Sequence, residues 1–596
     1  MKNAFAIVTL SALMSACAVV APPQAPVASA AAAAPPQPPE ETAAEPAPAP
    51  APADEVLPSL ALNSELLYKL TKAELEFKTG RWQGPFVTLM SVAQQTRDPR
   101  IARRAAEMAL AAKQGGEALA AIRLWRELSP DSEEAKQYFL GFVVLGEQMG
   151  EAEPIFVQRL NDAAPAARPL SMFQMQQFLA RASDKAAAFA MLERVLAPYL
   201  AMQESHLVLA QSAFAMGQRE RATQEAQRAL QIKPASELAA LTLAQVAGTP
   251  EEARGVLTTF LASNPGARDV RTAYARLLID QKQFDPARQQ FQMLLKAQPD
   301  NVGTLYALGI LSMQLRDTAA AEAHFKQFLA VLAAKPNDER DPAKVHMILS
   351  QIAEEKGDTA GALQWLDQID GRDGRPYFEA KIRRAQLMAK HGDLDGARKV
   401  LADIKTEEAD EQAQTFLTDA QLLRDAGYTQ SAFTVLENAL KRFPDNAELL
   451  YDFALLAEKL GKLDIMETSL RRVIAQSPNN HHAYNALGYS LAERNIRLPE
   501  AHALIDKALK MAPGDPFIMD SMGWVQFRLG NLQDAEDMLR RAYTLRSDPE
   551  IGVHLGEVLW AKGDKAEAEK LWREAGAKDP HNGALKSTLA RLNLSL

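Results

Sequence analysis

The sequence has one cysteine in 596 residues. No disulfide can close within the chain, and no multi-cysteine metal site or redox pair can be built. A basic excess is also missing: 66 Lys and Arg stand against 75 Asp and Glu, a net charge of −9. A general nucleic-acid binder needs a basic surface, so the mildly acidic balance disfavours that role. After the first twenty residues no apolar run reaches the roughly 18 residues that a membrane span requires, which excludes a polytopic membrane protein. Catalytic signatures are lacking too. There is no His-Glu-x-x-His, no Gly-x-x-x-x-Gly-Lys-Ser/Thr, no Gly-x-Gly-x-x-Gly and no Gly-x-Ser-x-Gly. Only His481 and His482 adjoin among the nine histidines, and neighbours on a helix point about 100° apart, which does not suit a shared metal. The expectation is no catalytic residue, no metal site and no cofactor. What is present is a globular composition, 47% apolar and 24% charged, with enough apolar material for a large core.

The N-terminus reads as an address. Met1-Lys2-Asn3, the apolar run Ala4 to Met14 and the small Ser15-Ala16 describe a signal peptide over 1–16. The lone Cys17 follows directly. This resembles the lipobox of bacterial lipoproteins, which implies acylation of Cys17. Ala18 in place of Asp implies, by the same resemblance, an outer-membrane lipid anchor on the periplasmic face. Residues 17–59 then hold the lipidated cysteine and an Ala/Pro-rich segment. Its prolines deny helix hydrogen bonding and favour polyproline II. It reads as a tether that reaches about 120 Å if fully extended.

The remainder repeats. Small residues recur at Ala118, Ala152, Ala187, Ala222, Ala253, Ala287, Ala321, Ala362, Ala397, Ala432, Met466, Ala501, Ala535 and Ala568, mostly 33–35 residues apart, with a step of 31 before Ala253 and of 41 after Ala321. About twelve residues before the later anchors stand Leu308-Gly309, Leu487-Gly488, Met522-Gly523 and Leu555-Gly556. A weaker first copy lies around 64–98, with Pro85 at the anchor. The pattern resembles the tetratricopeptide repeat. That implies an all-α fold, a tetratricopeptide-repeat superhelix (α-solenoid) of about 13–14 helical hairpins. Small residues let two helices cross closely, and glycines such as Gly357, Gly392, Gly461, Gly530 and Gly563 break each pair by adopting the left-handed cap. One hairpin cannot bury its own apolar face, so copies stack. The expected arrangement is an N-terminal array over 60–330, a longer loop over 331–343 and a C-terminal array over 344–596.

With no room left for a catalytic domain, binding remains. Counted from the Leu-Gly signature, the inward positions of the last copies are His482, Asn485, Tyr489 and Ala492; Phe517, Asp520, Trp524 and Phe527; and Glu550, Val553, Glu557 and Trp560. Asn485, Tyr489, Asp520, Trp524, Phe527 and Trp560 are the expected partner-binding residues of a concave face, because aromatic anchors dominate peptide grooves. The alternative for Trp524 and Trp560 is packing between repeats. The stretches 484–543 and 554–575, with the lipobox and the long array, resemble outer-membrane tetratricopeptide lipoproteins of Gram-negative bacteria that act as adaptors of a periplasmic carboxyl-terminal processing protease. The resemblance implies a non-enzymatic scaffold that recruits the protease and presents its substrates, peptidoglycan hydrolases. Two other roles are compatible with parts of the pattern: an assembly lipoprotein for exported polysaccharide or pilus subunits, and, against the lack of a catalytic domain, a repeat-bearing glycosyl transferase.

Overall fold

The computed structural model describes Pro58, 63–146, 148–335, 338, 340–369 and 374–595. The expected signal peptide, the lipidation of Cys17 and all but the end of the tether lie outside these residues. Thirty-one α-helices and no strand are present among the described residues. They form fifteen hairpins and a closing helix, where about 13–14 hairpins were expected. The Pro85 copy is a full hairpin, Ser64–Lys78 with Gln83–Thr96, and Pro85 is buried in the first turn of the second helix, where a missing N–H costs nothing.

Packing divides the chain into two compact units, one up to His324 and one from Phe325 on. The division falls inside the helix Thr318–Ala333. The second unit holds seven hairpins: Ala343–Glu355 with Thr359–Asp367, Arg375–Lys390 with Leu394–Ala402, Ala409–Asp425 with Thr429–Arg442, Ala447–Lys459 with Leu463–Gln476, His481–Glu493 with Leu498–Met511, Pro516–Arg528 with Leu532–Leu545, and Pro549–Lys562 with Lys565–Lys578. The helix Gly583–Leu592 closes it.

Each helix starts and stops for local reasons. Asn446, Asn480, Asp515 and Asp548 cap the first helices of the last four hairpins by accepting from backbone N–H groups one turn on. Gly357, Gly392, Gly461, Gly530 and Gly563 all have positive φ, as the pair-breaking role requires. The small-residue crossings are equally strict. A Cβ on Gly488 would sit 2.6 Å from Ile505 Cγ1, and one on Gly523 would sit 2.5 Å from Leu539 Cγ. Most anchors are fully buried, from Ala118 to Ala568.

Two anchors differ from the expected register. Ala187 is exposed, and Ala188 is buried instead, so that copy is shifted by one residue. Ala253 is only half-buried. The first helix of its hairpin, Glu237–Val246, has ten residues where its neighbours have thirteen, and this accounts for the short step of 31. The long step reflects a sixteen-residue helix, Thr318–Ala333, and the connection that follows it.

The closing helix buries Leu585 and Thr588 and turns Lys586, Ser587 and Arg591 outward. Thr588 and Arg591 both donate to the buried carboxylate of Glu557, so the last hairpin ends on a polar seal.

Candidate inner binding surface

The inward residues fall into three groups, buried, half-buried and exposed. Trp524, Asp520 and Glu557 are buried, at 3%, 6% and 5% exposure. Trp524 stacks on His554 of the next hairpin, with ring centroids 4.3 Å apart, and its indole N–H donates to Glu493 Oε2 at 2.7 Å. Of the two readings of Trp524, open anchor and packing between repeats, the geometry matches the second, because His554 covers its face. Phe527 is half-buried beside it, 5.3 Å between centroids. Trp560 is half-buried against Trp572, at 5.5 Å. Val553 and Ala492 are buried in the stack. Phe517, His482 and Glu550 are exposed.

His554 was not among the expected residues. It is buried, and its Nδ1 lies 2.9 Å from Asp520 Oδ1. Burial alone would push the imidazole down. The Asp520 charge and hydrogen bond, joined by Glu550 and Glu557, outweigh burial and hold it up at about 9. The ring is therefore an imidazolium at neutral pH, with both nitrogens donating. Nε2 points to the Tyr489 hydroxyl at 3.4 Å, and that hydroxyl donates to Glu550 Oε1 at 3.5 Å. One signal for His554 was in the sequence: an aspartate on an otherwise apolar stack needs a partner.

Tyr489 sits at a convergence. Burial and the charges of Glu550, Glu493, Asp520 and Glu458 hold its hydroxyl protonated far above neutral pH. These are carboxylates from four successive first helices. Next to them, burial raises Tyr451 and Asp452, with Glu448 adding to the effect on Asp452 and Arg424 opposing it. Asn485 is half-buried, and its Oδ1 has no hydrogen-bond partner among the described residues. No set of three metal-ligating side chains occurs among the described residues, and no described helix is long and apolar enough to cross a membrane.

The second helices carry charge differently. Arg471 reaches Glu500 at 2.5 Å, Arg540 binds Glu567 through two nitrogens at 2.8 and 2.7 Å, and Glu467 is held by Arg497 and Arg471. The arginine hydrogen bonds keep Glu467 down at about 2.

Two family models, both described as Tetratricopeptide repeat, match residues 247–309 and residues 306–377, 451–516 and 521–583. The chain carries tetratricopeptide repeats. Among curated proteins it is similar to TPR repeat-containing protein PA4667 of Pseudomonas aeruginosa, 41% identical over 212 residues, or 36% of each chain. It is also similar to Cellulose synthase operon protein C of Pseudomonas fluorescens, 24% identical over 54% of this chain and 29% of that one. The tetratricopeptide chain thus matches about a third of the length of these relatives. A solved thermophilic TPR protein from Thermus thermophilus, 26% identical, aligns over 30% of this chain and 100% of its own with a TM-score of 0.28. Tetratricopeptide repeats are scaffolds for protein–protein contact, and the Tyr489 cluster lies on the first helices of the last four hairpins.

Proposed function

We propose that the chain is a non-enzymatic adaptor, anchored in the outer membrane through Cys17, with its repeats facing the periplasm. It recruits a carboxyl-terminal processing protease and presents peptidoglycan hydrolases to it. The observation that carries a binding role is the convergence of Tyr489 with carboxylates from four first helices, of which Glu458 and Glu550 have no cation paired with them among the described residues. The lipobox-like Ser15-Ala16-Cys17 and the array support the adaptor class by resemblance. Holding enzyme and substrate on one tethered scaffold raises their effective concentration without any chemistry of its own.

Affinity purification of the full chain from a membrane fraction tests this. The protease and a hydrolase are expected to co-purify, and hydrolase cleavage by the protease is expected to rise when the chain is added. Recovery of neither overturns the adaptor reading. The similarity to Cellulose synthase operon protein C favours a second reading, a lipoprotein for assembly of an exported polysaccharide. Co-purification of a polysaccharide synthase or pore in place of a protease selects it.

A further inference from the structure

Two hairpins of the second unit place a glutamate at one and the same register position. Glu354 stands three residues before the positive-φ Gly357, and Glu458 three before the positive-φ Gly461. Glu354 is neutralised by the next first helix: Arg383 and Lys390 both donate to it, at 2.5 and 2.8 Å. Counted from the turn residues Gly392 and Asn495, both at positive φ, the places of Arg383 and Lys390 are taken in the helix after Glu458 by Ala486 and Glu493. The cations that the earlier copy supplies are replaced by a methyl group and a further negative charge.

The consequence extends along the surface. Glu448, Asp452, Glu458, Glu493 and Glu550 make no ion pair among the described residues. The nearby cations are few, and Arg494 Nη2 and Arg528 Nε have no hydrogen-bond partner among the described residues. Arg424 acts on Asp452 and lies 3.6 Å from Asp425. His554 is held by Asp520, and Arg528 donates to the Glu493 backbone carbonyl over the Trp524 ring. Clustered like charges destabilise a fold by repulsion, and a carboxylate such as Asp452 loses hydration as well. The rings of Tyr451 and Tyr489 lie among these carboxylates, and rings beside carboxylates recognise cations by their π faces as well as by charge. Asn485 Oδ1, on the same helix as Tyr489, is buried and has no donor among the described residues.

We propose that the inner surface of helices 447–459, 481–493 and 549–562 takes an extended polypeptide segment bearing lysine or arginine, whose cations seat between Glu458, Glu493 and Glu550 against Tyr451 and Tyr489. Successive packed helices lie about 8–10 Å apart, and an extended segment rises about 3.3 Å per residue. A cation at every third residue therefore meets each hairpin in turn, and Glu458, Glu493 and Glu550 meet the first, second and fourth of four such cations. The inference rests on the reading that the repeats hold protein partners, and names the chemistry of what they hold.

The test uses the purified full chain in detergent and two fluorescein-labelled peptides, with lysine or glutamate at every third position among serines. Fluorescence anisotropy is expected to show the lysine peptide binding at least about tenfold more tightly, with an affinity that falls as salt rises. Glu458→Gln with Glu550→Gln is expected to remove most of that preference. Ala486→Arg with Glu493→Lys, which restores the arrangement around Glu354, is expected to abolish it. The outer set Asp506→Asn, Asp537→Asn and Glu569→Gln changes net charge without touching the surface, and is expected to retain it. Equal affinity for both peptides, or a preference lost equally in the outer set, overturns the proposal. Protease co-purification is scored on the same preparations. If the protease is recovered and the lysine peptide is not bound, the peptide chemistry is wrong and the adaptor reading stands.

Discussion

Glu354 and Glu458 occupy matching places in two hairpins of one unit, yet they live in opposite electrostatic settings. Around Glu354, burial is outweighed by Lys390 and Arg383, and the carboxyl is held below its usual range. Around Glu458 there is no such pair; Ala486 and Glu493 stand where the cations would be. The two copies share a thirteen-residue first helix and a turn glycine at positive φ, so the two glutamates stand at matching places on matching helices. The difference between them is what the first copy spends on cohesion and the second leaves available to a ligand.

The largest effect is expected where the inner surface does contain a pair. Asp520→Ala leaves the His554 imidazolium buried without its counter-charge. Loss of one partner of a buried pair costs about 3–5 kcal/mol. Hydrogen exchange is expected to show the helices 516–528 and 549–562 opening while the hairpins before Gly461 keep their protection, since repeats interact mainly with their neighbours. Unchanged exchange would place the pair among the dispensable contacts.

A milder disturbance of the same pair comes from pH. His554 is raised from 6.5 to about 9 in the fold. Its stabilisation is therefore complete below pH 6.5 and is lost as pH rises through about 9. Thermal melts between pH 7 and 10 are expected to show the last hairpins weakening, and His554→Gln is expected to remove that dependence. The loss is smaller than in Asp520→Ala, because the neutral imidazole still donates to Asp520.

Smaller still is Arg383→Ala. Glu354 keeps Lys390, and a partly exposed pair contributes about 1 kcal/mol at most; a denaturant midpoint reads the difference. Smallest is Glu458→Gln, expected to shift stability by less than about 0.5 kcal/mol and, if at all, upward, because it relieves repulsion. A clear loss there would mean that Glu458 has the same structural role as Glu354, and the contrast would disappear.

Much of the fold was legible in the spacing, and the reason is steric. Gly488 and Gly523 cannot carry a side chain against Ile505 and Leu539, so the beat of small residues is a direct record of helix crossings. The short step before Ala253 was legible as an irregularity, though not as a first helix three residues short. The inner surface was only partly legible. Tyr489 could be placed by counting from Leu487-Gly488. That Trp524 is covered could not, because the covering ring, His554, comes from the next copy at a position that counting treats as lateral. Glu458 and Asp452 carry no such signal, because the helix 447–459 has Ala454 where the later copies have glycine.

A repeating stack has no intrinsic last member; each hairpin presents to the next the same kind of face that it received. By offering Leu585 and Thr588 on one side and Lys586, Ser587 and Arg591 on the other, the helix 583–592 covers the face that the hairpin before it presents and shows a polar one beyond it. A chain ending at Lys578 would carry that face uncovered, with Glu557 stripped of both its donors.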